Sequence, residues 1–172
     1  MILKYRVSLP GLKGFARVYE VKDTTPLYSF HKQMRADMDF PQDQIVLFKS
    51  FDPVGNVAAR YSITDLGFGT IDDVTCGACH KREEDKFIYF YDTTNVKSVI
   101  VTFDGEGGVV RKNAIYPLLV ESKGPNPIEF ENGYVAFEDL PDDKKKDPDD
   151  DDFDDDDDDV ADDDREEVEE LY

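Results

Sequence analysis

The strongest constraint on what this chain can fold into is an abrupt change of composition after Pro141. Beyond it the sequence reads DDKKKDPDDDDFDDDDDDVADDDREEVEELY as far as Tyr172. A segment with so few apolar side chains cannot bury enough surface to offset its ordering entropy, and like charges keep it extended. Charge is split accordingly. Glu138 to Tyr172 holds 22 acidic and 4 basic residues, a net of −18 out of −20 for the whole chain. Residues 1–137 hold the remaining 18 acidic and 16 basic side chains, a net of −2. The sequence therefore predicts one near-neutral globular body, residues 1–140, followed by a disordered Asp/Glu-rich tail, residues 141–172. With 12 Phe and 9 Tyr the body has the bulk for a real core despite the absence of Trp.

Periodicity gives the body its elements. Leu3, Tyr5, Val7 and Leu9 alternate with Lys4, Arg6 and Ser8, the pattern of a strand with one buried face. The Pro10–Gly11 turn then returns the chain through a second strand, Phe15 to Val21, with Phe15, Tyr19 and Val21 in phase. Arg17 shares that face and is expected to snorkel or to lie near a strand edge. Thr24 or Thr25 can cap a following helix whose first turn suits Pro26. Leu27, Phe30, His31, Met34 and Met38 form its apolar stripe, and Pro41 closes the helix expected over 25–40. Gln44 to Phe51 reads as a third strand. Residues 52–75 carry turn signals and scattered apolar anchors, so loops with at most one helical turn are expected there.

Strand character returns in Lys86 to Asp92 and Lys97 to Phe103. Phe87, Tyr89 and Tyr91 alternate with Ile88 and Phe90, and a strand apolar on both faces belongs in the interior of a sheet. A short strand limited by Pro117 follows, and Tyr134 to Leu140 is expected to pack back on the body. The resulting fold class is α+β: one antiparallel or mixed sheet of about five or six strands with one main helix on it. The opening strand–strand–helix–strand order is β-grasp-like. The predicted core is Tyr5, Val7, Val18, Leu27, Phe30, Met34, Val46, Phe48, Phe87, Tyr89, Val99 and Val101.

One motif carries potential chemistry. Cys76, Cys79 and His80 have the C-x-x-C-H spacing of haem attachment or of part of a zinc site. Haem would require export and an apolar pocket, yet Lys81-Arg82-Glu83-Glu84-Asp85 follows directly. Zinc would require a fourth ligand from His31, a carboxylate or a second chain. A redox dithiol normally sits where a strand meets a helix N-terminus, whereas this pair precedes a strand. The three residues stand as candidate metal ligands, with two loop cysteines as the simpler reading. No catalytic constellation and no cofactor motif appear. His31 lies in the helix stripe, Ser29 has no nucleophile turn around it, and the acidic runs Asp72–Asp73 and Glu83–Glu84–Asp85 read as solvated charge. Asp104-Gly-Glu-Gly-Gly lacks the lysine and following helix of a phosphate loop. No basic stripe interleaved with aromatics supports direct nucleic-acid binding. No segment reads as a secretion signal or bilayer span, so the expected location is cytoplasmic, with both cysteines reduced.

The order of several segments resembles the plasmid pRiA4b ORF-3-like family over about residues 1–140. The likeness rests on MILKYRVSLPGLKG with ARVYEV, on DTTPLYSFHKQMRADMDFPQDQIVLFKSF, on ITDL, on EEDKFIYFYD with KSVIVTF, and on YPLLVESKGPNPIE. Where the family has a Phe-Gly-Asp turn and a Trp after the tyrosine-rich strand, this chain has Thr93-Thr94-Asn95-Val96. The resemblance implies an α+β fold, a mobile-element-associated bacterial or archaeal setting, and no particular reaction. The functional expectation is a non-enzymatic protein-interaction module whose polyanionic tail engages a basic protein. Two alternatives stand beside it. One is a small enzyme or metal-binding protein with a pocket near the aromatic strands and the Cys76/Cys79/His80 loop. The other is a nucleic-acid mimic that binds a basic DNA-binding protein.

Overall fold

The computed structural model describes residues 1–130, and the tail over 141–172 and the Tyr134–Leu140 segment lie outside the described residues. The described chain forms one seven-stranded sheet in the order β4 (Val57–Tyr61), β3 (Leu47–Phe51), β5 (Lys86–Asp92), β6 (Lys97–Glu106), β1 (Ile2–Leu9), β2 (Leu12–Lys22), β7 (Leu118–Lys123), with every adjacent pair antiparallel. β1 (Ile2–Leu9) and β2 (Leu12–Lys22) make the expected hairpin, turned at Gly11, whose φ of 73° is the left-handed conformation that glycine adopts without strain. α1 (Leu27–Met38) follows, then β3 (Leu47–Phe51). The chain thus opens in the expected order. β3 pairs with β4 and β5, and β5 and β6 lie between it and the first hairpin.

The apolar alternation of β1 holds: Leu3, Tyr5, Val7 and Leu9 face one core with Phe15, Tyr19 and Val21. α1 lays Leu27, Phe30, Met34 and Met38 into that core against Phe48, Phe87, Tyr89, Val99 and Val101. Each such side chain removed from water contributes about 1.5–3 kcal/mol before entropy is set against it. All twelve predicted core residues are buried. Val18 is buried on the opposite face, because it pairs with Arg6 rather than with the Tyr5 row. β5 (Lys86–Asp92) lies inside the sheet between β3 and β6 (Lys97–Glu106), as its two apolar faces require. β7 (Leu118–Lys123) starts directly after Pro117 and pairs with β2, and a 3-10 turn at Pro127–Phe130 ends the described chain.

Four details differ from the sequence reading. The sheet has seven strands, because Val57–Tyr61 forms β4. Its Val57-Ala58-Ala59-Arg60-Tyr61 run is weakly apolar, so the hairpin is set by its turn: Asp52 accepts from the N–H groups of Val54 and Asn56, and Gly55 supplies φ of 95°. α1 is not capped by Thr24 or Thr25. Its N-cap is Pro26, and the N–H groups of Leu27 and Tyr28 donate to the carbonyls of Val74 and Ile71 at 2.9 and 3.0 Å. The irregular middle segment is therefore the cap. The helix ends at Met38 because Asp39 turns left-handed, φ 54°, before Pro41 is reached.

Arg17 is the third difference. It does not snorkel: it is 4% exposed, and its guanidinium donates to the carbonyls of Ala16, Lys123 and Gly124 and to Asn126 Oδ1. Four oxygens replace its water, so burial of the charge is compensated. Fourth, Cys76–Lys81 is a helix, α2, not a loop. Thr75 caps it by accepting from Ala78 N at 3.1 Å. The N–H groups of Cys76 and Gly77 donate to the carbonyls of Thr25 and Asp23, which fastens α2 to the chain entering α1. Gly77 is required by that approach, since a Cβ there would lie 2.6 Å from the Asp23 carbonyl oxygen.

Candidate functional site

The cysteine motif sits on the first turns of α2, and both thiols point into the core beneath the sheet face that carries α1. Cys76 and Cys79 are free and buried. Burial pushes the Cys76 thiol up, and the neighbouring Cys79 adds to the effect. Burial and then Glu84 push Cys79 up to about 12. Both are neutral thiols at physiological pH, whereas metal ligation and disulfide exchange require thiolate. His80 is turned away from the pair: its Nδ1 lies 2.7 Å from Asp85 Oδ1, and its ring sits 4.3 Å from that of Phe103. Among the described residues no group of three or more His, Cys, Asp or Glu side chains is placed to hold a metal ion.

Cys79 instead borders a polar ring that the sequence did not reveal. Tyr61 Oη donates to Glu84 Oε2 at 2.6 Å, Arg82 Nε donates to Glu84 Oε1 at 2.8 Å, and Arg82 Nη2 donates to Tyr61 Oη at 2.7 Å. The same Nη2 lies 3.9 Å from Cys79 Sγ. Glu84 is buried, and the guanidinium and the phenol satisfy both of its oxygens. Glu84 is therefore a buried, paired charge and not the solvated one that its sequence neighbourhood suggests. Its partner Tyr61 comes from β4, the strand that sequence did not show.

A second buried network joins α1 to β5. Arg35 Nε donates to Tyr89 Oη at 2.9 Å, and its two terminal nitrogens donate to the carbonyls of Gln42 and Gln44. A guanidinium can only donate, so the Tyr89 proton goes to His31 Nδ1, 2.7 Å away. That arrangement needs a neutral imidazole protonated on Nε2. Burial, followed by the Arg35 and Lys32 charges, lowers His31 to about 4, in agreement. Burial holds Tyr89 up at about 12. These groups fasten the helix to the sheet, and none is poised to exchange a proton near pH 7.

An open cleft of about 430 Å³ lies beside the α2–β5 turn. It is bounded by Phe51, Asp52, Pro53, Val54 and Gly55 of the β3–β4 turn and by Glu83, Asp85, Lys86 and Thr102. Asp52 and Asp85 are already engaged, the first by backbone N–H groups and the second by His80. A loop beyond β4 presents exposed Ile63, Leu66 and Phe68. Asp65 Oδ1 holds it by accepting from the N–H groups of Gly67 and Gly69, which keep that carboxyl below its usual range. Among the described residues no helix is long and apolar enough to cross a membrane.

No protein-family model matches the chain, and no curated protein matches it. Among solved structures it is similar to the protein of unknown function MM3350 from Methanosarcina mazei Go1, at 16% identity and a TM-score of 0.59. The match covers 70% of this chain and 68% of that one. This likeness is one of fold.

Proposed function

We propose that the chain is a non-enzymatic protein-interaction module whose polyanionic tail engages a basic partner protein in the cytoplasm. The observation that carries this reading is the charge split, −18 over Glu138 to Tyr172 against −2 over the rest. A dense carboxylate run attracts clustered Lys and Arg and repels nucleic acid. A DNA-binding protein, whose basic surface the tail would occupy in place of nucleic acid, fits that chemistry. The body supports the same reading, because its buried His31, Tyr89, Cys76 and Cys79 are held away from neutral-range titration. The test is affinity capture with the native chain and with a variant whose aspartates over 149–159 are replaced by Asn. Partners lost in the variant support the reading, and identical sets of partners remove any role for the tail.

A second reading, a small enzyme or metal-binding protein, has one observation in its favour. The cleft of about 430 Å³ beside the α2–β5 turn has the size of a small-ligand site. Elemental assay of the purified protein addresses the metal form, and absence of stoichiometric zinc or iron ends it.

A further inference from the structure

Two features share one end of the sheet, where β3 and β6 finish and β5 and β1 begin. The row Phe51, Lys86, Thr102, Arg6 and Val18 crosses the strands there on the face turned away from α1, because opposed residues in neighbouring strands point to the same side. The first feature is the open cleft of about 430 Å³, whose wall includes Phe51, Lys86 and Thr102 of that row. Phe51, Pro53 and Val54 give it apolar walls. Asp52, Glu83 and Asp85 set three carboxylates against the single ammonium of Lys86. The second feature is the loop over 107–116, between β6 and β7. It presents the most exposed large apolar side chains of the described residues, Val109 at 89% and Ile115 at 85%, with Val110 at 47%. The loop is tied to the sheet. Gly107 N–H donates to the Ile2 carbonyl at 2.9 Å, Arg111 Nη2 donates to buried Glu20 at 3.1 Å, and Arg111 N–H donates to Tyr116 Oη at 3.0 Å. Arg111 is thereby neutralised by Glu20, and Lys112 is the exposed cation of the tip. Glu106 stands at the foot of the loop, and no acid occurs between Gly107 and Tyr116.

We infer that the cleft is the docking site for the 107–116 loop of a second copy of this chain, in a two-fold dimer that makes the contact twice. The two surfaces are complementary in chemistry. The loop offers aliphatic side chains around one lysine, and the cleft offers apolar walls with an excess of carboxylate. A loop already tied down by Ile2 and Glu20 loses little freedom on docking, so the apolar area it buries counts nearly in full. Those same ties hold each loop over β1 and β2, away from the cleft of its own chain beside β3 and β5. The position of the pair favours closure. β5 and β1 flank β6, so the cleft and the loop lie about two strand spacings apart, about 10 Å, at one end and on one face. A two-fold axis between them carries each loop to the other copy's cleft, and such a contact closes at two chains. Lys112 of one copy then faces Glu83 of the other. The described chain finishes elsewhere: Asn126 is bonded to Arg17 and Asp39, on the α1 face and towards the other end of β2. The acidic tails therefore start away from the contact, and the dimer stands or fails independently of the function proposed above.

The experiment is sedimentation equilibrium of the full chain over a wide range of protein concentration, at an ionic strength of about 0.15 M, where charges are screened over about 8 Å. The native chain is expected to approach the mass of two chains and to go no higher. Lys112→Glu and Glu83→Lys each set like charges against one another and are expected to sediment as single chains. Both positions are exposed, and an unchanged circular dichroism spectrum reports an intact fold. An equal mixture of the two variants is expected to regain the mass of two chains, because every loop then meets a cleft residue of opposite sign. A native chain that stays single at all concentrations overturns the inference and leaves the cleft to a small ligand. A dimer that survives in both single variants, or a mixture that stays dissociated, overturns it as well. Mass that climbs beyond two chains contradicts the two-fold closure.

Discussion

Replacing Tyr89 by Phe deletes one oxygen from the buried junction of α1 and β5 and leaves the ring packing in place. The deletion removes a charged hydrogen bond from Arg35 Nε, whose residue is 2% exposed, and the acceptor-side bond at His31 Nδ1. A bond to a buried charged group is worth about 1.5–3 kcal/mol, and the neutral one about 0.5–1.5 kcal/mol. The expected loss is therefore about 2–4 kcal/mol, a large part of the 5–15 kcal/mol typical of a domain. Tyr5 supplies the matched comparison. It is 1% exposed in the neighbouring part of the core, and its hydroxyl finds no hydrogen-bond partner among the described residues. Tyr5→Phe removes an unsatisfied group and is expected to leave stability unchanged or to raise it by about 1–2 kcal/mol. Urea unfolding followed by circular dichroism reads both variants, with an unchanged m-value showing that the same two states are compared. If Tyr5→Phe is as damaging as Tyr89→Phe, the argument that partners rather than burial decide these tyrosines is refuted.

Three further predictions follow from the same geometry. Gly77→Ala drives a Cβ to 2.6 Å from the Asp23 carbonyl oxygen and 2.8 Å from Asp23 Cβ. A loss of about 1–3 kcal/mol in thermal unfolding is expected, and a neutral result would mean the α2–α1 junction is looser than described. Cys76 and Cys79 are expected to resist iodoacetamide in the native protein at about pH 8 and to react fully in denaturant. Native alkylation at the rate of a free thiol contradicts their burial. His31 is lowered from 6.5 to about 4 in the folded chain, so the unfolded state takes the proton first as pH falls. Its contribution is full above about 6.5 and is lost on the way down to about 4, about 3 kcal/mol in total. His31→Gln should flatten the stability profile in that window, and equal slopes for both proteins would refute the assignment.

The legible part of the fold was the part written in side-chain period. β1, β2, α1, β5 and β6 each bury one repeated apolar set, and β5 announced its interior place by being apolar on both sides. What was hidden depended on contacts distant in sequence. β4 has a weak apolar run and is placed by the Asp52 turn and by pairing with β3. α2 is short and rich in Cys, Gly and His, and it is stabilised by Thr75 and by carbonyls of Thr25 and Asp23. The α1 cap comes from Ile71 and Val74, more than thirty residues beyond the helix start. The candidate site shows the same division. The spacing of Cys76, Cys79 and His80 was plain, but only the fold shows two thiols turned inward and the imidazole turned to Asp85. The Tyr61–Glu84–Arg82 ring and the Arg35–Tyr89–His31 chain had no local signature, because each joins residues from separate strands and helices.

The proposed role of the tail in partner recognition is tested most simply by a calorimetric titration of a captured basic partner into the native chain and into the 149–159 Asp→Asn variant. The expected result is measurable binding to the native chain that weakens steeply as salt rises, because exposed charges are screened, and no binding to the variant. Equal affinity for the two chains, insensitive to salt, would place recognition on the body and contradict the claim.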